Sequence, residues 1–244
     1  GLTHIDALLG TGPGWNWLAP ARNTLLYSFS LTGSRSEDSG TIYTGSVSAF
    51  NGAQQAAVVQ ALARISQITG IQFQPTSDGT AADIRFSAAD LRGSSTAGYA
   101  SLSWRYEFDG NNVVTAYTAD AWVYLDNVEF ARSNGTPSLG SAGFEVLLHE
   151  VGHALGLKHP FDDAPRLPAA DDDTAHTLMS YTHEGGPYSD YAPFDVAALM
   201  FLYGGDGLGG ALGASSSGRW LLGTDAAGSL AGGLGNDHLQ GNGG

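Results

Sequence analysis

Apolar residues recur along this chain with two different periods, and each period predicts a different element. Between Ser48 and Thr69, Phe50, Ala53, Ala57, Val58, Ala61, Leu62, Ile65 and Ile68 fall three and four apart, with Gly70 as a stop. The spacing predicts an amphipathic helix over 48–69. A second helix is predicted over 138–157, where Phe144, Leu147, Leu148, Val151, Ala154 and Leu155 form the buried stripe and leave the remaining face for other work. The segment from Pro193 to Gly204 is apolar nearly all round, with Pro early and Gly last, which predicts a buried helix. Strands are predicted over 25–31, 71–73, 84–86, 98–104 and 121–125. Asp78-Gly79 and the cluster Asp109-Gly110-Asn111-Asn112 read as turns. Residues 1–20 read as an irregular segment anchored by Trp15 and Trp17. Together these elements predict an α+β fold.

With 244 residues and 42% hydrophobic content the chain can bury a large core, as one domain or as one domain with an appendage. After Gly204 the composition shifts to Gly, Ala and Ser, so we expect a main domain over 1–204 and a Gly-rich appendage over 205–244. The formal charge of -14 argues against nucleic acid or an anionic membrane as partner and favours calcium binding and an extracellular setting. No cysteine is present, which excludes disulfides and thiolate ligands. No apolar run is long enough to span a membrane, and the amino end has no signal-sequence pattern. A start at Gly1 rather than Met leads us to expect a processed form.

The candidate chemistry lies in the stretch from His149 to His159, which reads HExxHxxGxxH. Residues four apart on a helix share one face, so His149 and His153 can bind one metal ion. Glu150 sits about 100° round from His149, where its carboxylate can hold a water as general base. A continuous helix would carry His159 about 9 Å further and about 240° round from His153, out of reach of that ion. The helix must therefore end between them, and Gly156 permits the left-handed turn that brings His159 back. Three imidazoles leave a fourth position open, the mark of a catalytic zinc, which lowers the pKa of a water to about 7.

The stretch resembles the metzincin metalloproteases, and Pro160 directly after the third His resembles their serralysin branch. The resemblance implies a metzincin-type zincin fold, a twisted mixed sheet with two long helices. It extends to Thr177-Leu178-Met179-Ser180-Tyr181, which is similar to the Met-turn of that group. By this resemblance Met179 forms the apolar floor under the histidines, and Tyr181 is a switchable phenol, on or near zinc at rest and on the oxyanion during turnover. It also implies that the strand around Gly98, Tyr99, Ala100 and Ser101 is the cleft rim that pairs with extended substrate. Ile5-Asp6-Ala7-Leu8-Leu9 and the helix ending at Gly204 are likewise similar to the opening and closing segments of serralysin catalytic domains. The Asp-rich stretch from Pro160 to Thr174 reads as a solvated acidic loop in preference to a calcium site. His176 and His183 read as non-ligands, with His183 near enough to the cleft to meet substrate.

Gly232 to Gln240 fits the calcium-binding nonapeptide GGxGxDxUx of RTX β-rolls. Gly233, Gly235 and Asp237 are its candidate calcium residues, and Gly223–Ala231 is a degenerate copy with Leu230 in phase. Such turns stack and share ions, and the chain stops at Gly244 in what resembles another repeat, so a longer β-roll is the expected partner. The sum of these readings is a secreted zinc endopeptidase acting on proteins or peptides. In serralysins, export uses a carboxy-terminal signal, which we expect to be missing here. Two alternatives stay open: a protease dedicated to processing its own parent chain, and a non-catalytic calcium-binding RTX module, against which the intact Glu150 speaks.

Overall fold

In a computed structural model, residues 2–214 and 216–242 are described; Gly1 and the end at Gly244, both used above, lie outside them. In chain order the elements are α1 (Thr3–Asp6), β1 (Thr24–Ser28), β2 (Tyr43–Ser48), α2 (Gly52–Thr69), β3 (Gln72–Pro75), β4 (Ile84–Leu91), β5 (Gly98–Phe108) and β6 (Val114–Asp126). Then follow α3 (Ala131–Asn134), α4 (Ala142–Ala154), α5 (Pro193–Tyr203), β7 (Trp220–Leu222) and β8 (His238–Gln240). This is the expected α+β class, with a mixed sheet ordered β3-β1-β4-β6-β5 and β2 antiparallel on β4. β1, β3, β4 and β6 run parallel, and β5, antiparallel to β6, ends the strand order opposite β3 and so has a free edge.

The apolar stripe of α2 (Ala57, Val58, Ala61, Leu62, Ile65) and that of α4 (Phe144, Leu147, Leu148, Val151) share one core with Ile84, Phe86, Val123 and Leu125 of the sheet. Side-chain caps account for where both helices start. Asn51 accepts from Ala53 N and Gln54 N, and the Gln54 side chain accepts from Asn51 N, so α2 opens at Gly52 rather than Ser48. Ser141 accepts from Phe144 N, so α4 opens at Ala142 rather than Ser138, and it stops at Ala154 rather than Leu157. Asp78-Gly79 does not close a hairpin: β3 and β4 lie on opposite sides of β1, both parallel to it. β2 was not predicted, because Tyr43–Ser48 buries little besides Tyr43 and shows no clear alternation.

The composition break after Gly204 is not a break in packing. Trp220, Leu222 and Leu208 belong to the same core as α4, and Trp220 meets Tyr117 edge-on at 5.1 Å. The amino-terminal segment is equally tied in. Ile5, Ala7 and Leu8 are buried, and Gly10 N and Lys158 N donate to Gly156 O and Leu8 O at 2.8 Å each. No helix among the described residues is long and apolar enough to cross a membrane.

Candidate active site

The HExxHxxGxxH stretch sits at the carboxyl end of α4, under the β5 edge. His149 and His153 lie on one face of α4, as their spacing requires. The helix is unwound where the motif needs it: Gly156 has φ +104, a conformation that only glycine takes without strain. Three groups hold the freed helix end. Trp15 Nε1 donates to Ala154 O at 2.7 Å, Tyr203 OH donates to Leu155 O at 2.7 Å, and Leu157 N donates to Gly152 O at 3.0 Å. The chain then returns, and His159 joins the other two.

The three Nε2 atoms lie 3.0, 3.1 and 3.3 Å from one another. Tetrahedral zinc at about 2.05 Å from each nitrogen requires separations of about 3.3 Å, so the cluster fits the ion. The other ring nitrogens are oriented by the protein. His149 Nδ1–H is directed at Leu178 O (2.7 Å), His153 Nδ1–H at Leu157 O (2.9 Å), and His159 Nδ1 at Asp162 Oδ2 (3.1 Å). With Nδ1 so engaged, the Nε2 lone pairs converge. Burial holds His149 down to about 4 and His153 to about 3, so both are neutral and able to ligate at neutral pH. Burial also lowers His159, against the opposing pull of Asp162.

Glu150 is buried, and its carboxyl is pushed up to about 8 by desolvation, opposed by the Ala100 N–H that donates to it. Gly98 makes room for it, since a Cβ there would lie 2.6 Å from Glu150 Cγ. Met179 is fully buried, and a Cβ on Gly152, the residue before His153, would stand 2.9 Å from its sulfur. The small residue in the motif thus admits the Met179 side chain. The Met-turn itself hangs from Asp195, whose carboxylate accepts from Thr177 Oγ1 (2.5 Å), Leu178 N (2.8 Å) and Ala192 N (3.0 Å). Burial lifts Asp195 to about 6. Tyr181 is 65% exposed, and its ring lies 4.7 Å from that of His159 and 5.9 Å from that of His149. Partial desolvation of the phenol, together with the nearby Glu150 and Asp162, raises its pKa.

Of the predicted rim residues, Gly98 and Ala100 aim their backbone groups at the free edge, as the Ala100–Glu150 contact requires. Tyr99 alternates with them and faces β6, although it still borders the cleft. The acidic loop differs from its reading as merely solvated. Asp162 holds His159, Asp172 accepts from Ser180 Oγ at 2.6 Å, and Asp173 engages His176 Nδ1 at 2.9 Å. Phe161, which has no signature in the sequence, stacks on His159 at 5.0 Å and 5° and meets Tyr181 at 4.9 Å. Leu178, Leu157 and Asp195 were also missed, because backbone carbonyls and distant carboxylates carry no spacing signal. His176 stands apart from the cluster, and His183 is exposed with Nδ1 3.9 Å from Glu145 Oε1.

In the appendage, β7 and β8 pair in parallel, and Gly235 has φ +101. Asp237 accepts from Arg219 N at 2.8 Å and from Gly233 N, which brings Gly233 and Asp237 together around one carboxylate.

Residues 41–167 match a family model described as Peptidase_M10: Matrixin. The chain is 30% identical to Serralysin G of Dickeya chrysanthemi over 169 residues, covering 64% of this chain and 34% of that protein. It is 29% identical to Serralysin of Photorhabdus laumondii over 175 residues, with the same two coverages of 64% and 34%. With Metalloprotease AprA of Pseudomonas entomophila it shares 28% over 223 residues, 81% of this chain and 42% of the relative. The chain thus spans well under half the length of these relatives. The matches agree with the serralysin-type resemblance read from the zinc stretch and the Met-turn.

Proposed function

Because the chain belongs to the matrixin family of peptidases, we infer that it is a zinc-dependent endopeptidase that hydrolyses internal peptide bonds of proteins. The observation that carries this reading is the convergence of three oriented imidazoles beside a buried carboxyl on an open cleft. Zinc bound by His149, His153 and His159 would polarise a scissile carbonyl and make a water acidic enough to attack it.

The remaining steps belong to the chain's own side chains. Glu150 takes the proton as the water oxygen bonds to the carbonyl carbon, and it returns that proton to the amine as the C–N bond breaks. The environment that lifts its pKa suits a group that must release the proton as well as accept it. The Tyr181 phenol, exposed over the histidines, donates to the oxyanion of the tetrahedral adduct, and at rest it can turn toward the metal position. The free β5 edge offers backbone groups to an extended substrate, with Gly98 and Ala100 nearest the chemistry. Met179 and Gly156 act structurally, as the floor and the turn.

We further propose that 205–244 begins a calcium-binding β-roll through Gly233, Gly235 and Asp237, continued by a longer roll as partner, and that the enzyme works outside the cell. The parallel β7–β8 pair and the excess of acidic over basic residues support this. The test is casein cleavage with and without a zinc chelator, alongside elemental analysis of the purified chain. One zinc per chain with chelator-sensitive digestion is expected. A zinc-loaded protein that leaves casein intact but cuts its parent chain would point to dedicated self-processing, and a protein without zinc would overturn the reading.

A further inference from the structure

Resting on the protease reading above, we propose that Trp104 walls a distal subsite that selects an apolar side chain about four residues N-terminal to the scissile bond. β5 leaves the catalytic centre at Ala100 and runs outward to Phe108. Ala97 O accepts from Asp126 N on the β6 side at 2.9 Å, whereas Leu102 O accepts from Arg35 Nη1 at 3.1 Å. Backbone groups alternate sides along a strand, so the even residues from Gly98 to Trp104 address the free edge. A peptide added there as an antiparallel strand runs opposite to β5, and its N-terminal half lies along Leu102 and Trp104. Trp104 is four residues beyond Ala100, about 13 Å at the strand rise.

The side chains at that end form a hollow with one solid wall. The cross-strand partners of Leu102 and Trp104 are Ala121 and Ala119, and both remove bulk from the floor. Gly12 and Pro13 border the same cleft, which has a volume of about 590 Å³ and is continuous with His149 and Glu150. Trp104 is 47% exposed, an apolar surface that a side chain can cover. Neighbours on the same face hold the floor in place: Tyr106 meets Trp220 at 5.4 Å in a tilted pair, and Tyr117 OH donates to Pro13 O at 3.3 Å. Arg35 already occupies the Leu102 carbonyl, so backbone pairing is thin at this end and side-chain burial has to carry the selection.

Peptides sharing one cleavable core and carrying Leu, Ser or no residue at the fourth position N-terminal to the scissile bond test this in zinc-loaded protein. Wild type is expected to favour Leu over Ser by about tenfold in kcat/KM. Trp104→Ala should bring that ratio close to one, and Trp104→Phe should keep most of it. An unchanged ratio in Trp104→Ala, or a preference governed by residues on the C-terminal side of the bond, would overturn the subsite while leaving the protease reading intact. Failure of wild type to cleave any peptide of the series would sink the protease reading and the subsite with it.

Discussion

Replacing Glu150 by Gln separates the base role proposed for it from its character as a buried ionisable group. Glutamine keeps the size and can still accept from Ala100 N–H, but it carries no charge at any pH. In protein stripped of metal, burial moves the Glu150 carboxyl from 4.5 to about 8. The folded state therefore holds its proton more tightly than the unfolded state between those values, and stability falls as pH rises through that window. A shift of that size corresponds to a cost on the order of 5 kcal/mol once the group is ionised. Denaturant unfolding of metal-free wild type and Glu150→Gln from pH 4 to pH 9 should show near-equal stability at the acid end. The variant should then gain several kcal/mol relative to wild type by the alkaline end. Zinc should shrink the difference, because a dication beside the carboxylate favours its charged form. The same variant should bind zinc and cleave nothing. A stability difference that stays flat across the range would show that the carboxyl is solvated in the folded protein, and substantial residual hydrolysis would remove Glu150 from its role as base.

Three other substitutions probe the supports of the site. Tyr181→Phe should lower kcat on the order of 100-fold with little change in KM; an unchanged kcat in steady-state assays would exclude the phenol from the transition state. Gly152→Ala forces a Cβ to within 2.9 Å of the Met179 sulfur and should cost about 1–3 kcal/mol, read as a lower Tm; an unshifted Tm would show that the floor yields freely. Asp195→Ala leaves Thr177 Oγ1, Leu178 N and Ala192 N without their buried acceptor and should cost about 3–5 kcal/mol in denaturant unfolding. Zinc should also be held more weakly in that variant, because Leu178 O orients His149; titration against a chelator that finds wild-type affinity would break this link.

The parts legible in the sequence were those encoded by local spacing. His149 and His153 had to share a face once a helix was granted, and Gly156 had to turn because His159 could not otherwise return; φ +104 is that requirement met. The stripes of α2 and α4 were equally readable, because a helix buried on one side repeats every three to four residues. Helix starts were less so, since a cap depends on whether Asn51 or Ser141 wins over its neighbours.

Only the tertiary structure decided which residues distant in sequence complete the site. Leu178 O fixes His149, Asp195 suspends the turn that carries Leu178, and Phe161 covers His159. It also decided that Trp15, at the amino end, and Tyr203, at the end of α5, hold the two carbonyls where α4 stops. Such partners satisfy backbone groups whose positions exist only after folding, so no periodicity announces them. The same holds for β5: its sequence marks a strand, but its position at an edge, with Trp104 exposed, follows from the strand order of the sheet. Local geometry specified the three clustered histidines, and long-range packing specified their orientation and the walls of the cleft.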